Sequence, residues 1–240
     1  MSFLEGEVAD ALKNMKINDA VFNSAMFDLA LMYGGMAEVC PGQEIIINRD
    51  KALMLLQRGI ENSKINERDK FFAKLMFVAI LTRESPDLKA DLKSLKILEE
   101  VADWSNEYIW SNGEYQNSDK VAVFMRAFAT FFLADSYMGK DNALAYKWLK
   151  KSTELGDNLL ERYITTYNGL GNEDEYVVAP NKPLAMKKMK ALCESSNKGA
   201  FKGTAFEKYG KTGCFYYKRM KENHPDPFNE KDFQKWSLGK

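Results

Sequence analysis

Apolar residues recur along this chain at intervals of three and four, the spacing that places one stripe along an α-helix. Four segments follow a single template, anchored at Ala52, Ser94, Ala145 and Ala185. Three positions on stand Leu55, Ile97, Trp148 and Lys188; four on stand Leu56, Leu98, Leu149 and Met189. The stripe continues through Gly59, Val101, Ser152 and Leu192 to Ile60, Ala102, Thr153 and Cys193. A small residue opens each stripe and a large one fills its middle, with Lys188 the clear misfit. The anchors lie 42, 51 and 40 residues apart. Before each comes another apolar helical run, at 22–33, 71–81, 121–137 and 159–167. Three of these runs end alike, in Tyr33-Gly34-Gly35, Tyr137-Met138-Gly139 and Tyr167-Asn168-Gly169. A glycine just past the last apolar residue supplies the left-handed conformation that stops a helix.

The second helices are predicted to start after Asp50, Asp91, Asp141 and Asn181, the last followed by Pro183 in its first turn. Helix, loop, helix is therefore the unit, with a period of roughly forty residues. The pattern predicts an all-α fold, a right-handed α-solenoid of about five helix-pair repeats. One domain over 1–240 is expected, with repeats near 20–64, 68–104, 119–156, 157–198 and 199–222. An insertion falls at 104–118 and a capping segment at 223–240. Tyr209-Gly210 is expected to close the first helix of the fifth unit. Pro225 and Pro227 then break the chain before a short helix at 229–236. The competing architecture is an irregular helical bundle, because small and large apolar residues alternate in any amphipathic helix.

Asp141 with Ala145, Trp148, Lys151-Ser152-Thr153 and Gly156 forms the fullest version of the motif. Asp50-Lys51-Ala52 with Leu55 and Arg58-Gly59-Ile60 comes next. These residues resemble the Sel1-like repeat, a longer relative of the tetratricopeptide repeat. The resemblance spans about 22–213. It departs from the motif at Lys188, and the unit around Ser94 lacks the Tyr-Gly ending. It implies a non-catalytic adaptor or binding scaffold, and some bacterial proteins of this kind act in secretion, stress signalling or inhibition of a partner. An inhibitor or immunity protein that occludes a toxin or effector is the specific version of that expectation.

A hydrophobic fraction of 45% is too high for a disordered chain, and no run approaches eighteen apolar residues, so no membrane-spanning helix is predicted. The first residues, Met1-Ser2-Phe3-Leu4-Glu5, have neither the basic nor the apolar region of a secretion signal. Cys40, Cys193 and Cys214 are odd in number and follow no metal-ligand or CxxC spacing. They are expected to be packing or bystander thiols in a reducing compartment, so the cytoplasm is the expected location.

Charge is balanced overall but polarised. From Glu84 to Asp119 there are nine acids and three lysines; from Lys182 to Lys221 there are eleven basic residues and two acids. A dipolar chain of this kind steers charged partners.

Few residues offer catalytic chemistry. His224, the only histidine, sits in Asn223-His224-Pro225-Asp226-Pro227 and reads as a solvated loop residue. Glu173-Asp174-Glu175 has no EF-hand spacing around it, Gly169-Leu170-Gly171 lacks a third glycine, and Gly210-Lys211-Thr212 lacks the upstream glycine of a P-loop. Glu99-Glu100, adjacent on a helix, point in different directions. No enzyme activity, cofactor or metal is expected. Two regions suit a partner instead. Trp104, Tyr108, Trp110 and Tyr115 form an aromatic loop in a polar frame, with Trp104 alternatively folded back into the core. Lys187, Lys188, Lys190, Lys198 and Lys202 belong to a basic stretch interleaved with Phe201, Phe206, Tyr209, Phe215, Tyr216 and Tyr217. A protein partner is the leading expectation. Single-stranded nucleic acid is the alternative, weakened by an excess of lysine over arginine.

Overall fold

The computed structural model describes residues 20–35, 47–63, 65–83, 91–112, 116–169 and 179–239, and for 20–25, 83 and 116–119 of these the backbone alone. The described residues form eleven α-helices and no strand. They are α1 (Ala20–Tyr33), α2 (Arg49–Glu61), α3 (Glu67–Arg83), α4 (Leu92–Asp103), α5 (Asn106–Asn112), α6 (Gln116–Tyr137), α7 (Asn142–Glu154), α8 (Leu159–Asn168), α9 (Lys182–Asn197), α10 (Glu207–Lys221) and α11 (Glu230–Leu238). No helix among the described residues is long and apolar enough to cross a membrane.

The template helices are α2, α4, α7 and α9, and in all four the predicted stripe is buried through most of its length. At its last position Ile60 and Cys193 are half-buried and Thr153 is exposed. Ala52, Ala145 and Ala185 are fully buried and Ser94 nearly so. Behind them Leu55-Leu56, Ile97-Leu98, Trp148-Leu149 and Met189 are buried as well. Helix starts follow the predicted chemistry. Asp141 accepts from the amides of Ala143 and Leu144, both at 3.0 Å, and Asn181 from that of Leu184 at 3.1 Å. Asp91 accepts from the Ser94 amide at 2.7 Å, and that bond holds its carboxyl below the usual range. One cap differs from expectation. Asn48, not Asp50, receives the Lys51 amide, and Asp50 lies in the first turn of α2.

The chain divides into two compact units, one within 1–85 and 96–126, the other within 86–95 and 127–240, so α4 and α6 contribute residues to both. In the first unit α2 packs on α1 and on α3. Gly59 makes the α1–α2 crossing close, since a Cβ there would stand 2.8 Å from Met26 and Phe27. The Arg49 guanidinium donates to the Leu81 carbonyl, tying the start of α2 to the end of α3. In the second unit α9 packs on α8 and on α10. The Tyr-Gly endings sit at helix ends as predicted, with Gly35, Gly139 and Gly169 all at positive φ.

Tyr209-Gly210 does not end a helix. Both residues lie in the first turn of α10, where a Cβ on Gly210 would come within 2.2 Å of Ser196 Oγ. This glycine serves close approach of α10 to α9 rather than a left-handed turn. The stops between α9 and α10 are Gly199 and Gly203, both at positive φ. The insertion differs too. It is expected as a loop, but Asn106–Asn112 is a helix and α6 begins already at Gln116.

The cysteines depart furthest from expectation. Cys193 on α9 and Cys214 on α10 form a disulfide, their Cα atoms 4.5 Å apart. They are not bystander thiols, and the inference of a reducing compartment loses its footing. Cys40 lies outside the described residues.

Candidate functional site

The aromatic segment is largely absorbed by the first unit. Trp104 is buried and stacks on Phe71 with ring centroids 4.6 Å apart. Its carbonyl accepts from Arg126 at 2.9 Å. Tyr108 is half-buried, 5.4 Å from Trp104, and burial pushes its phenol up, with the nearby Glu67 and Glu100 carboxylates adding to the effect. Trp104 is thus the fold-back alternative, because a flat ring on Phe71 removes more apolar surface from water than a loop can. Trp110 is 68% exposed on α5. Tyr115 lies outside the described residues, as do Glu173-Asp174-Glu175 and Gly171.

The basic stretch splits in two. Lys187, Lys190, Lys198 and Lys202 are exposed in the second unit, Lys190 beside Glu194 at 3.6 Å. Lys208, Lys218 and Lys221 on α10 are exposed as well. Lys188 is not part of that surface. Its ammonium pairs with the Asp135 carboxylate of α6, the lysine side chain 14% exposed and the aspartate 5%. The other oxygen of Asp135 accepts from the phenol of Tyr163, a fully buried residue of α8. Burial pushes the Tyr163 phenol well up, and the Asp135 charge pushes it further. The misfit of the template is therefore the centre of a buried Lys-Asp-Tyr cluster. A polar cluster of this kind fixes which helices meet, and neither cavity described below is lined by it.

The interleaved aromatics turn inward, apart from Tyr217, which is half-buried. Phe201 and Tyr216 are buried, Phe206 meets Tyr146 and Tyr209 edge-on, and Phe215 packs on Phe233 and Trp236. Lysines out and aromatics in is the ordinary division of an amphipathic helix, and it takes these rings away from any stacking platform for bases. The Tyr209 phenol reaches the start of α8, where it donates to Asn158 at 2.9 Å and receives the Leu160 amide. Burial pushes it up.

Cavities open among the described residues of the second unit. One, of about 650 Å³, lies between Tyr167 and Asn168 at the end of α8, Lys182 at the start of α9, and the 223–228 turn. His224 lines it half-buried, so it is not a freely solvated residue. Its Nδ1 accepts from the Asp226 amide at 3.1 Å and faces Arg219 at 2.8 Å, which leaves Nε2 to carry the proton. Arg219 is held in turn by Asp232 at 2.8 Å. The second cavity, of about 610 Å³, is walled by the Cys193–Cys214 bridge, Lys208, Lys211, Phe233 and Trp236. Sequence reasoning missed this bridge. Cysteines 21 residues apart carry no spacing signal, and only the tight α9–α10 crossing brings them together. No cluster of three His, Cys, Asp or Glu residues among the described residues could hold a metal ion.

No protein-family model, curated protein or solved structure matches this chain.

Proposed function

We propose that this chain is a non-catalytic scaffold of the Sel1-like kind, its helix pairs stacked as an α-solenoid, that binds an acidic protein through the lysine-bearing surface of α9, α10 and their connection. The observation that carries the reading is the buried stripe, which recurs close behind the start of α2, α4, α7 and α9. A helix pair whose stripe is covered by the next pair is the unit from which such repeats are built. The local packing agrees, since α2 lies against α1 and the following α3, and α9 against α8 and the following α10.

The lysines select the partner's charge. Lys198, Lys202, Lys208, Lys218 and Lys221 are exposed and enter no ion pair among the described residues, whereas most of the aromatics between them are withdrawn. An acidic protein face is attracted by such a surface without base stacking, and the attraction speeds encounter more than it deepens affinity. The test is capture by the tagged full-length chain from its native cell at low salt, against a Lys198→Glu, Lys202→Glu variant. A stoichiometric acidic protein whose recovery falls about tenfold with the variant, and likewise with added salt, is the expected outcome. Recovery of no protein, or equal recovery by both chains, would reject the reading.

A further inference from the structure

The Cys193–Cys214 bridge combines three features that a purely structural clip does not need. Its two cysteines are half-buried and line the open cavity of about 610 Å³, which gives a small molecule a way to them. The helices it joins are also held without it. Gly210 lies against Ser196 and Gly213 against Leu192 so closely that an added Cβ would fall 2.2 Å and 2.6 Å from their side-chain atoms. Breaking the bond therefore leaves the two cysteines side by side, ready to close again. Finally, the surroundings are charged and polarised. Lys208 and Lys211 share the cavity wall. Lys211 is paired with Glu207 at 2.9 Å, so Lys208 supplies the uncompensated charge. Asn197 places its amide group 3.6 Å from Cys193 Sγ and its carbonyl 3.9 Å from Cys214 Sγ.

We infer that Cys193–Cys214 is a thiol–disulfide exchange centre for a small anionic thiol of the glutathione class. The thiolate, drawn in by Lys208, attacks Cys214 Sγ. A new sulfur–sulfur bond forms there while the Cys193–Cys214 bond breaks. Cys193 leaves as a thiolate that receives the Asn197 amide hydrogen and then takes a proton from water. The Asn197 carbonyl disfavours the opposite order, because it would face a thiolate on Cys214. A second thiol attacks the mixed disulfide, releasing the oxidised small-molecule disulfide and the Cys214 thiol. Two thiols lose two electrons in total and the bridge gains them, so the exchange balances and reverses in an oxidising thiol buffer.

The experiment uses the full-length chain with Cys40→Ser, so that no third cysteine reports. Glutathione and cationic cysteamine are each reacted with the folded protein at low ionic strength, and each rate is divided by that thiol's rate with a linear peptide disulfide. Quenched samples are mapped by mass spectrometry, and helicity is followed throughout. The expected result is reduction with helicity intact, a normalised preference for glutathione of about threefold or more, and transient glutathione on Cys214. Lys208→Gln removes the preference and leaves the bridge reducible. Resistance of the folded protein to both thiols would overturn the inference, as would reduction by a protein dithiol alone. Equal normalised rates, or glutathione on Cys193, would overturn the assigned charge selectivity or order of attack.

Discussion

Lys188 is the residue where local pattern and tertiary packing meet. Its template position holds Leu55, Ile97 and Trp148 in the other three helices, all of them buried apolar side chains. Here the same position points an ammonium at Asp135, which also takes the Tyr163 hydroxyl. Removing one partner of a buried pair leaves the other charge desolvated, so the loss exceeds the worth of the pair itself. Lys188→Ala is expected to lower the free energy of unfolding by about 3–5 kcal/mol. Replacing the whole cluster, with Asp135→Leu, Tyr163→Phe and Lys188→Met, is expected to return stability to within about 1 kcal/mol of the parent. Urea titrations of the two variants decide the matter, and equal losses in both would remove the cluster from the account. That Lys188 broke the stripe was visible along the chain. Its partner was not, because Asp135 lies 53 residues away and sits in another apolar run. Trp104 and Cys193 share this difficulty. Each looks the same in a one-dimensional pattern whether it is exposed or packed, and Phe71 or Cys214 settles the question only in three dimensions.

At the scale of elements, the chain was readable wherever chemistry within one turn decides the outcome. Asp91, Asp141 and Asn181 cap the helices assigned to them, and the Tyr-Gly endings of α1, α6 and α8 stop those helices. Reading failed where the same residues serve two purposes. Tyr209-Gly210 copies a helix ending, yet Gly210 is spaced to let Ser196 and Phe201 approach. Helix α5 spans only seven residues, too few for a periodicity to stand out from its aromatic composition. The two uses of glycine make different predictions. Gly156→Ala meets nothing within 4 Å and costs only its left-handed conformation at φ 87°, about 1 kcal/mol. Gly210→Ala keeps ordinary helical backbone but drives a methyl into Ser196 and Phe201, and is expected to cost about 1–3 kcal/mol despite the better helix propensity of alanine. Thermal unfolding of both variants, with the disulfide intact, separates the two mechanisms. Adding Ser196→Gly should recover part of the loss in Gly210→Ala and none in Gly156→Ala.

For the molecule as a whole, the buried phenols set an alkaline limit to stability. Tyr163 is pushed up by burial and then by Asp135. Tyr209 is pushed up by burial and further by Asp157 and Glu161, although the Leu160 amide opposes this by donating to its oxygen. In the unfolded chain both phenols return to about 10. Below that pH both states hold both protons and the stabilising difference is fully present. Above it the unfolded chain releases protons that the native chain retains, so the unfolded state binds fewer and stability falls as pH rises. The fall continues until the native phenols ionise in turn, with a limiting slope of about 1.4 kcal/mol per pH unit for each phenol. Urea titrations between pH 8 and 11 should therefore show a plateau followed by a decline that starts near the ordinary tyrosine value. Tyr163→Phe removes one of the largest contributions, so its decline should be shallower than the parent's even though its plateau is lower from the lost bond to Asp135. Tyr209→Phe should do the same without touching that cluster, since its hydroxyl serves the start of α8. Parallel declines in the parent and both variants would mean that neither phenol carries the effect, and the alkaline limit would then belong to the other raised phenols, Tyr108 and Tyr216.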